Sequence, residues 1–334
     1  MKHILFYARD PGGVSALSPV IDSFKNKSQY SMGVYSKDYA YDFFLTKGIK
    51  SEKINSISDI YGLSDIDLII TGTSYNDILE KQIWDKAKAS GVKTLAVLDH
   101  WVGYDRFMNQ ENKESCYPDY LCVIDEIALE SFKKSNPHCK ANLHVTGNPY
   151  FDIVKTRKKS IAENKSFKKS HFKRYDLVVL YGAEKIKGFP IEEKYGFNEY
   201  TQFRFLFDVL ETLDKRIKII FRPHPKHDKF EVISELGNYK SSHIDIMIND
   251  ALNQFLLMQA SDYVFGINSM VLVEAWLLDC KVCSLQASNK SESIFDLVRL
   301  NVIPNAANKN ELTDFLNGKK ESAYYDKSVL DNCT

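Results

Sequence analysis

The chain has no net charge: 44 Lys plus Arg stand against 44 Asp plus Glu in 334 residues. Polyphosphate chains are held by a surplus of cations, so bulk nucleic-acid binding is not expected. No run of about 18 apolar residues occurs, so no segment is expected to span a membrane. The first residues, Met1-Lys2-His3-Ile4-Leu5-Phe6-Tyr7-Ala8-Arg9-Asp10, carry too short an apolar stretch for a signal peptide and read as a first β-strand. Cysteine is sparse. The six, Cys116, Cys122, Cys139, Cys280, Cys283 and Cys333, are expected as free thiols in a reducing cytoplasm. Cys280 and Cys283 form a lone CxxC, and its neighbours Val282, Ser284 and Leu285 favour a buried strand over a zinc or redox motif. Neither a GxGxxG fingerprint nor a DxD following a strand is present, since Asp65-Ile66-Asp67 precedes one. No metal and no resident cofactor is implied.

What remains is an ordinary globular composition, 44% hydrophobic and 26% charged, in a chain longer than one core usually serves. Two domains are therefore expected. Short apolar runs at Ile4–Ala8, Met32–Tyr35, Leu68–Thr71, Thr94–Leu98, Leu121–Ile124 and Leu143–Val145 alternate with amphipathic stretches such as Ser74–Ala89. That alternation predicts βαβ units, and strands apolar throughout predict a parallel sheet covered on both faces. It resumes with strands at Leu177–Tyr181, Lys218–Arg222, Ile244–Ile248, Tyr263–Gly266 and Lys281–Leu285. Helices are expected near Tyr200–Asp214, Ala251–Ala260, Asn268–Leu278 and Asn310–Leu316. Between the halves, residues 155–174 carry nine Lys and Arg and one acid, Glu163. This block reads as a solvated linker or as a basic strip facing an anionic leaflet or an anionic substrate. The division is then 1–160, a basic linker at 161–174, 175–320, and a tail at 321–334.

Open parallel sheets bind ligands beyond the carboxyl ends of their strands, which directs attention to the residues just after each run. After the first come Arg9-Asp10-Pro11-Gly12-Gly13: Gly12 and Gly13 permit close backbone approach, and Asp10 is placed as a general base or as a turn aspartate. After the fifth come Asp99, His100, Trp101, Val102, Gly103, Tyr104, Asp105 and Arg106. Aromatic faces among polar groups suit a sugar, so Asp99, Trp101 and, on the same rim, Asn148 are candidate sugar or acceptor contacts; a capped, partly buried loop is the alternative. Asp125 lies on that rim too. In the second half, Arg222-Pro223-His224-Pro225 delivers a cation and an imidazole into a loop stiffened by two prolines, a pattern suited to phosphate. Asn268, Ser269 and Met270 open a helix whose free amides can hold a phosphate. Glu274, between Val273 and Ala275, is a carboxylate in apolar surroundings that ribose hydroxyls would satisfy, or else a helix-face ion-pair partner.

These residues resemble those of the GT-B glycosyltransferases over about residues 3–317. The segment Asp262–Leu285 is similar to the donor-binding strand–helix–strand of that superfamily, with Glu274 matching the acid that holds the donor ribose. His224-Pro225 and Asn268-Ser269 resemble the HP and Ser/Thr motifs of bacterial sialyltransferases. The RPHP run is similar to that of capsule transferases and of the CDP-glycerol glycerophosphotransferases of teichoic acid synthesis. Arg9-Asp10-Pro11-Gly12 matches the acidic base motif of sialyltransferases only in part, and Asn268 replaces the first Ser/Thr. The resemblance implies an α/β fold of two Rossmann-like parallel-sheet domains facing a central cleft. It also implies a metal-independent transferase with Asp10, or alternatively His100, as base. Arg222, His224 and the amides around Ser269 would stabilise the departing phosphate. A CMP-linked nonulosonic acid is the favoured donor, UDP-sugars come next, and the acceptor is a bacterial surface glycan, lipid-linked glycan or protein. A UDP-N-acetylglucosamine 2-epimerase and a non-catalytic nucleotide-sugar-binding subunit are the rivals.

Overall fold

The computed structural model describes residues 1–334 except 61, 109–113, 250, 251, 294, 321 and 331–334. Cys333 and the expected helix start at Ala251 therefore lie outside the described residues. The chain forms two compact units, Met1–Ile153 with the segment from Asp326, and Val154–Tyr325.

The first unit holds β1 (Lys2–Ala8), β2 (Tyr30–Ser36), β3 (Glu52–Lys53), β4 (Leu68–Thr71), β5 (Lys93–Val97), β6 (Tyr120–Val123) and β7 (Asn142–Val145), in the order β3-β2-β1-β4-β5-β6-β7. The second holds β8 (Leu177–Gly182), β9 (Ile217–Arg222), β10 (Ile244–Ile248), β11 (Tyr263–Gly266), β12 (Val282–Leu285) and β13 (Asn305–Ala306), ordered β10-β9-β8-β11-β12-β13. Every pairing in both sheets is parallel. In both, the strand order reverses beside the first strand, between β1 and β4 and between β8 and β11. In open parallel sheets such a reversal point is where ligands bind beyond the carboxyl edge.

The apolar strands are buried on both faces, as their composition requires. Ile4, Phe6 and Ala8 of β1 pack with Val14, Leu17 and Ile21 of the helix Pro11–Phe24, while Leu5 and Tyr7 pack with Ile69, Leu79 and Ile83. Alternate residues thus feed two cores. In β8, Leu177, Val179 and Tyr181 meet Phe203, Leu206 and Leu210 of the helix Glu199–Leu210. Each such fully buried side chain contributes about 1.5–3 kcal/mol.

The basic block is not a solvated linker. It forms the end of the helix Pro149–Thr156 and a further helix, Ile161–Phe172, within the second unit. Ser160 and Glu163 explain this: the Ser160 hydroxyl accepts from the Glu163 amide at 3.2 Å, and Glu163 accepts from the Ser160 amide at 2.9 Å. The one acid of the block completes a capping box that starts the helix. Residues 322–325 group with the second unit and those from Asp326 with the first, where Leu330 is buried. Cys116, Cys122, Cys139, Cys280 and Cys283 are free thiols, and Cys283 is buried within β12. Among the described residues no helix is long and apolar enough to cross a membrane.

Candidate functional site

In the first unit, Asp10 is the residue before the helix Pro11–Phe24, in extended conformation, with Pro11 opening the helix. The carbonyl of Asp10 accepts from the Val14 amide at 3.2 Å. Gly13 and Gly72 meet backbone to backbone: a Cβ on Gly72 would stand 2.8 Å from the Gly13 Cα. The helix start is thereby pressed onto the end of β4. Gly12 lies directly against the Asp99 carboxylate, leaving no room for a side chain. Arg9 pairs with Asp38 at 2.8 Å and donates to the carbonyls of Tyr75 and Asn76.

Arg106 organises the loop after β5. Its guanidinium donates to Asp99 at 3.0 Å, to the Thr73 carbonyl at 2.6 Å, and to the carbonyls of Gly103 and Val102 at 2.8 Å each. Burial raises the Asp99 carboxyl, and the Arg106 charge opposes that rise. His100 is 7% exposed, and burial, aided by Arg106, pushes its imidazole down to about 3. It is neutral at physiological pH and a weaker base than a free histidine.

Two expected sugar contacts are internal instead. Trp101 is 0% exposed, stacked on Phe151 with ring centroids 5.6 Å apart. Its Nε1–H donates to both carboxylate oxygens of Asp125 at 2.9 Å. Asp125 in turn caps the helix Glu126–Ser135 by accepting from the Ala128 amide at 2.7 Å. Asn148 is 1% exposed and donates to the Asp99 carbonyl at 3.0 Å. An indole this large is worth more in the core than on a rim, and its one polar atom finds a carboxylate there. Trp101 and Asn148 are buried and build the loop.

The second unit concentrates its polar groups at the reversal point. Gly182 and Gly266 pair across β8 and β11. A Cβ on Gly182 would lie 2.7 Å from Val271, and one on Gly266 would lie 3.0 Å from the Ser269 hydroxyl and 2.9 Å from the Gly182 carbonyl. These glycines form a floor under the amino end of the helix Met270–Leu277. Ser269 precedes that helix in extended conformation, 8% exposed, and its hydroxyl has no hydrogen-bond partner among the described residues. Met270, half-buried, opens the helix. Glu274, 4% exposed, accepts from the Gln254 side chain at 2.9 Å.

Arg222 ends β9 opposite Gly182. The loop after it is fixed from beneath. The His224 amide donates to His227 Nδ1 at 2.9 Å, and the His227 Nε2 lies 2.9 Å from Glu199. Since Nδ1 accepts, Nε2 carries the proton and donates to the carboxylate. Glu199 also accepts from the amides of Ile186 and Lys187 at 2.9 Å each. Burial works to raise the Glu199 carboxyl, yet the His227 bond and these amides outweigh it and hold it below the ordinary value. His224 Nδ1 accepts from the Lys226 amide at 3.1 Å, which leaves Nε2–H as its donor. The loop thus presents an imidazole of defined tautomer.

Two carboxylates here, Glu199 and Glu184, carried no signal of their own in the sequence. Glu199 shapes the RPHP loop through His227, which the sequence offers as an optional positive charge and the structure uses to hold the His224 amide. Glu184, two residues beyond β8, accepts from the Asn268 amide at 2.6 Å. Gly182 was the available signal, since a glycine closing a buried strand marks close approach by another element. The structure brings Arg222, His224, Asn268, Ser269, Met270 and Glu274 into one unit, and Asp10, Gly12, Gly13, Asp99 and His100 into the other.

No protein-family model and no curated protein sequence matches the chain. Its architecture does match solved structures over almost its whole length. UDP-GlcNAc 2-epimerase from Methanocaldococcus jannaschii is 16% identical, covers 99% of this chain and 98% of its own, and superposes with a TM-score of 0.64. Anabaena HepE, solved with UDP and glucose, is 14% identical over 100% of this chain and 92% of its own, with a TM-score of 0.62. MurG from Acinetobacter baumannii is 9% identical over 100% and 95%, with a TM-score of 0.55. The fold is the GT-B type, two Rossmann-like domains with parallel sheets of seven and six strands.

Proposed function

We propose that the protein is an enzyme acting on a UDP-sugar, with the diphosphate received at the amino end of the helix Met270–Leu277 and the ribose at Glu274. One observation carries this reading: the Ser269 hydroxyl is buried without a partner among the described residues, at the start of a helix and on a glycine floor. A buried hydroxyl left unbonded costs about 1–3 kcal/mol, which a phosphate oxygen would offset. The helix dipole favours an anion at the same place. Arg222 and the His224 Nε2–H, from the neighbouring strand end, would take the charge that develops as the sugar–phosphate bond breaks. UDP now precedes CMP as the nucleotide, because solved structures of this fold carry UDP.

The first reaction we assign is epimerisation at carbon 2 of UDP-GlcNAc, with which structures of the same architecture and length are named. A base takes the proton from carbon 2, its electron pair forms the C1–C2 double bond, and the C1–O bond breaks with UDP as leaving group. Return of the proton to the opposite face and of UDP to C1 closes the cycle. Asp10 is the candidate base of the first unit; His100, held neutral and buried, is a weak one.

Glycosyl transfer is the second reading. The stripe Lys165, Lys169 and Lys173, exposed at four-residue spacing, suits an anionic leaflet where a lipid-linked acceptor would lie. Incubation with UDP-GlcNAc alone in deuterated water tests the choice. Deuterium at carbon 2 and release of UDP without acceptor are expected. UDP release only when a surface-glycan acceptor is added would replace epimerisation with transfer.

A further inference from the structure

The amino end of the helix Met270–Leu277 already has an anionic neighbour of the protein's own. Glu184 reaches it from the end of β8 across the strand reversal and takes the Asn268 amide at 2.6 Å. The Asn268 side-chain amide, turned to donate, meets both Glu184 oxygens, lying 2.9 Å from Oε1 and against Oε2. A phosphate oxygen bound to the amides beside Ser269 would meet this carboxylate at close range. We infer that Glu184 stands in the phosphate's place as a competing anion, so that nucleotide binding requires it to hold a proton. This rests on the phosphate reading of the Ser269 helix start and adds proton linkage to it.

The surroundings agree. Glu199, at the start of the helix Glu199–Leu210, repels a charge on Glu184, and the hydroxyl of Tyr181 on β8 is the other acid facing it. His227, in the loop after β9, donates to Glu199 instead. Lys185 is taken by Glu231 at 2.7 Å, and Lys187 by Glu235 at 2.5 Å and Glu231 at 3.4 Å, all on the helix Lys229–Leu236. Arg222 and His224 end the neighbouring strand β9 and its loop. Burial, set against the Asn268 amide and reinforced by Glu199, pushes the Glu184 carboxyl up to about 8. Near neutrality the group is mostly protonated, and its O–H becomes a donor to phosphate where the carboxylate would have been a rival.

The linkage has a definite sign. Below pH 8 the proton is present before the nucleotide arrives, and affinity is flat. Above it, binding must draw a proton from solvent: carboxylate plus H⁺ gives the neutral acid in the complex. The Kd for UDP then rises about tenfold between pH 7 and pH 9. The terminal phosphate of UDP, with a second pKa of about 6, is mostly ionised by pH 7, and the small slope it adds is common to wild type and Glu184→Gln.

Titration calorimetry with UDP at pH 7 and pH 9, on the wild-type chain and on Glu184→Gln, decides the matter. Wild type should lose about tenfold in affinity and take up about one proton at pH 9, counted in two buffers of different ionisation enthalpy. Glu184→Gln, which keeps the acceptor for Asn268 without the charge, should bind equally at both pH values. An equal loss in both proteins, or no proton uptake by wild type, overturns the inference while leaving the phosphate site in place. Failure of wild type to bind UDP at pH 7 overturns both. Should Glu184→Gln not fold, the wild-type proton count is decisive alone.

Discussion

Glu199→Gln is the sharpest test of how the RPHP loop is held. The carboxylate is 0% exposed and accepts three hydrogen bonds at 2.9 Å, from His227 Nε2 on one oxygen and from the Ile186 and Lys187 amides on the other. Glutamine is nearly isosteric but offers one acceptor and one NH2. If its oxygen faces the two amides, the NH2 points at His227 Nε2–H. His227 cannot yield by moving its proton, because Nδ1 is accepting from the His224 amide. If the oxygen faces His227, the NH2 points at both backbone amides. Each orientation leaves a buried donor facing a donor.

One or two unsatisfied buried groups cost about 1–3 kcal/mol each, so a loss of about 2–4 kcal/mol is expected. For a unit of this size that is roughly 5–15 °C in Tm. Differential scanning calorimetry at pH 7 measures it. The acid dependence supplies a second reading. The Glu199 carboxyl is held below its ordinary 4.5, so its contribution is complete above that pH and is lost as pH falls through the folded value. The gap between wild type and variant should narrow below about pH 4. A gap of less than about 2 °C at pH 7 would refute the idea that Glu199 fixes this loop. The displaced His224 should also weaken UDP binding.

Four other outcomes are expected. Ser269→Ala removes a hydroxyl that bonds nothing in the free protein, so Tm should hold or rise while UDP affinity falls about 5–10-fold by calorimetry. Trp101→Phe keeps the stacking on Phe151 but strips Asp125 of its indole donor, costing the first unit about 1–3 kcal/mol in urea unfolding with no selective change in KM. Gly12→Ala drives a methyl onto the Asp99 carboxylate and should cost about 1–3 kcal/mol, with the Arg106–Asp99 pair disturbed. The His100 ring resonances, followed by NMR, should not titrate between pH 8 and pH 5, because its imidazole is pushed down to about 3.

The strands were readable because a doubly covered parallel sheet writes them as unbroken apolar runs, and all eleven such runs are strands. The two that escaped, β3 and β13, are two residues long and carry no pattern. The helix Ile161–Phe172 escaped for the opposite reason. It is polar nearly all round, so no apolar stripe announces it, and only Ser160-x-x-Glu163 marked its start. Trp101 misled because side-chain direction inside a loop has no period: the same residues read as a sugar platform or as a buried anchor until Phe151 and Asp125 are seen beside it.

Arg222, His224 and Ser269 were readable from neighbours in sequence, as a cation, an imidazole and a cap at strand ends. Glu184 was not, although it touches the same helix start, because Asn268 lies 84 residues away and only the β8–β11 register joins them. The consequence is chemical. Taken locally, the segment Asn268–Met270 would be a phosphate site of fixed affinity. With its carboxyl neighbour, the proposed site would favour phosphate only while that neighbour is protonated, and the glycines at 182 and 266 bring the two strand ends together.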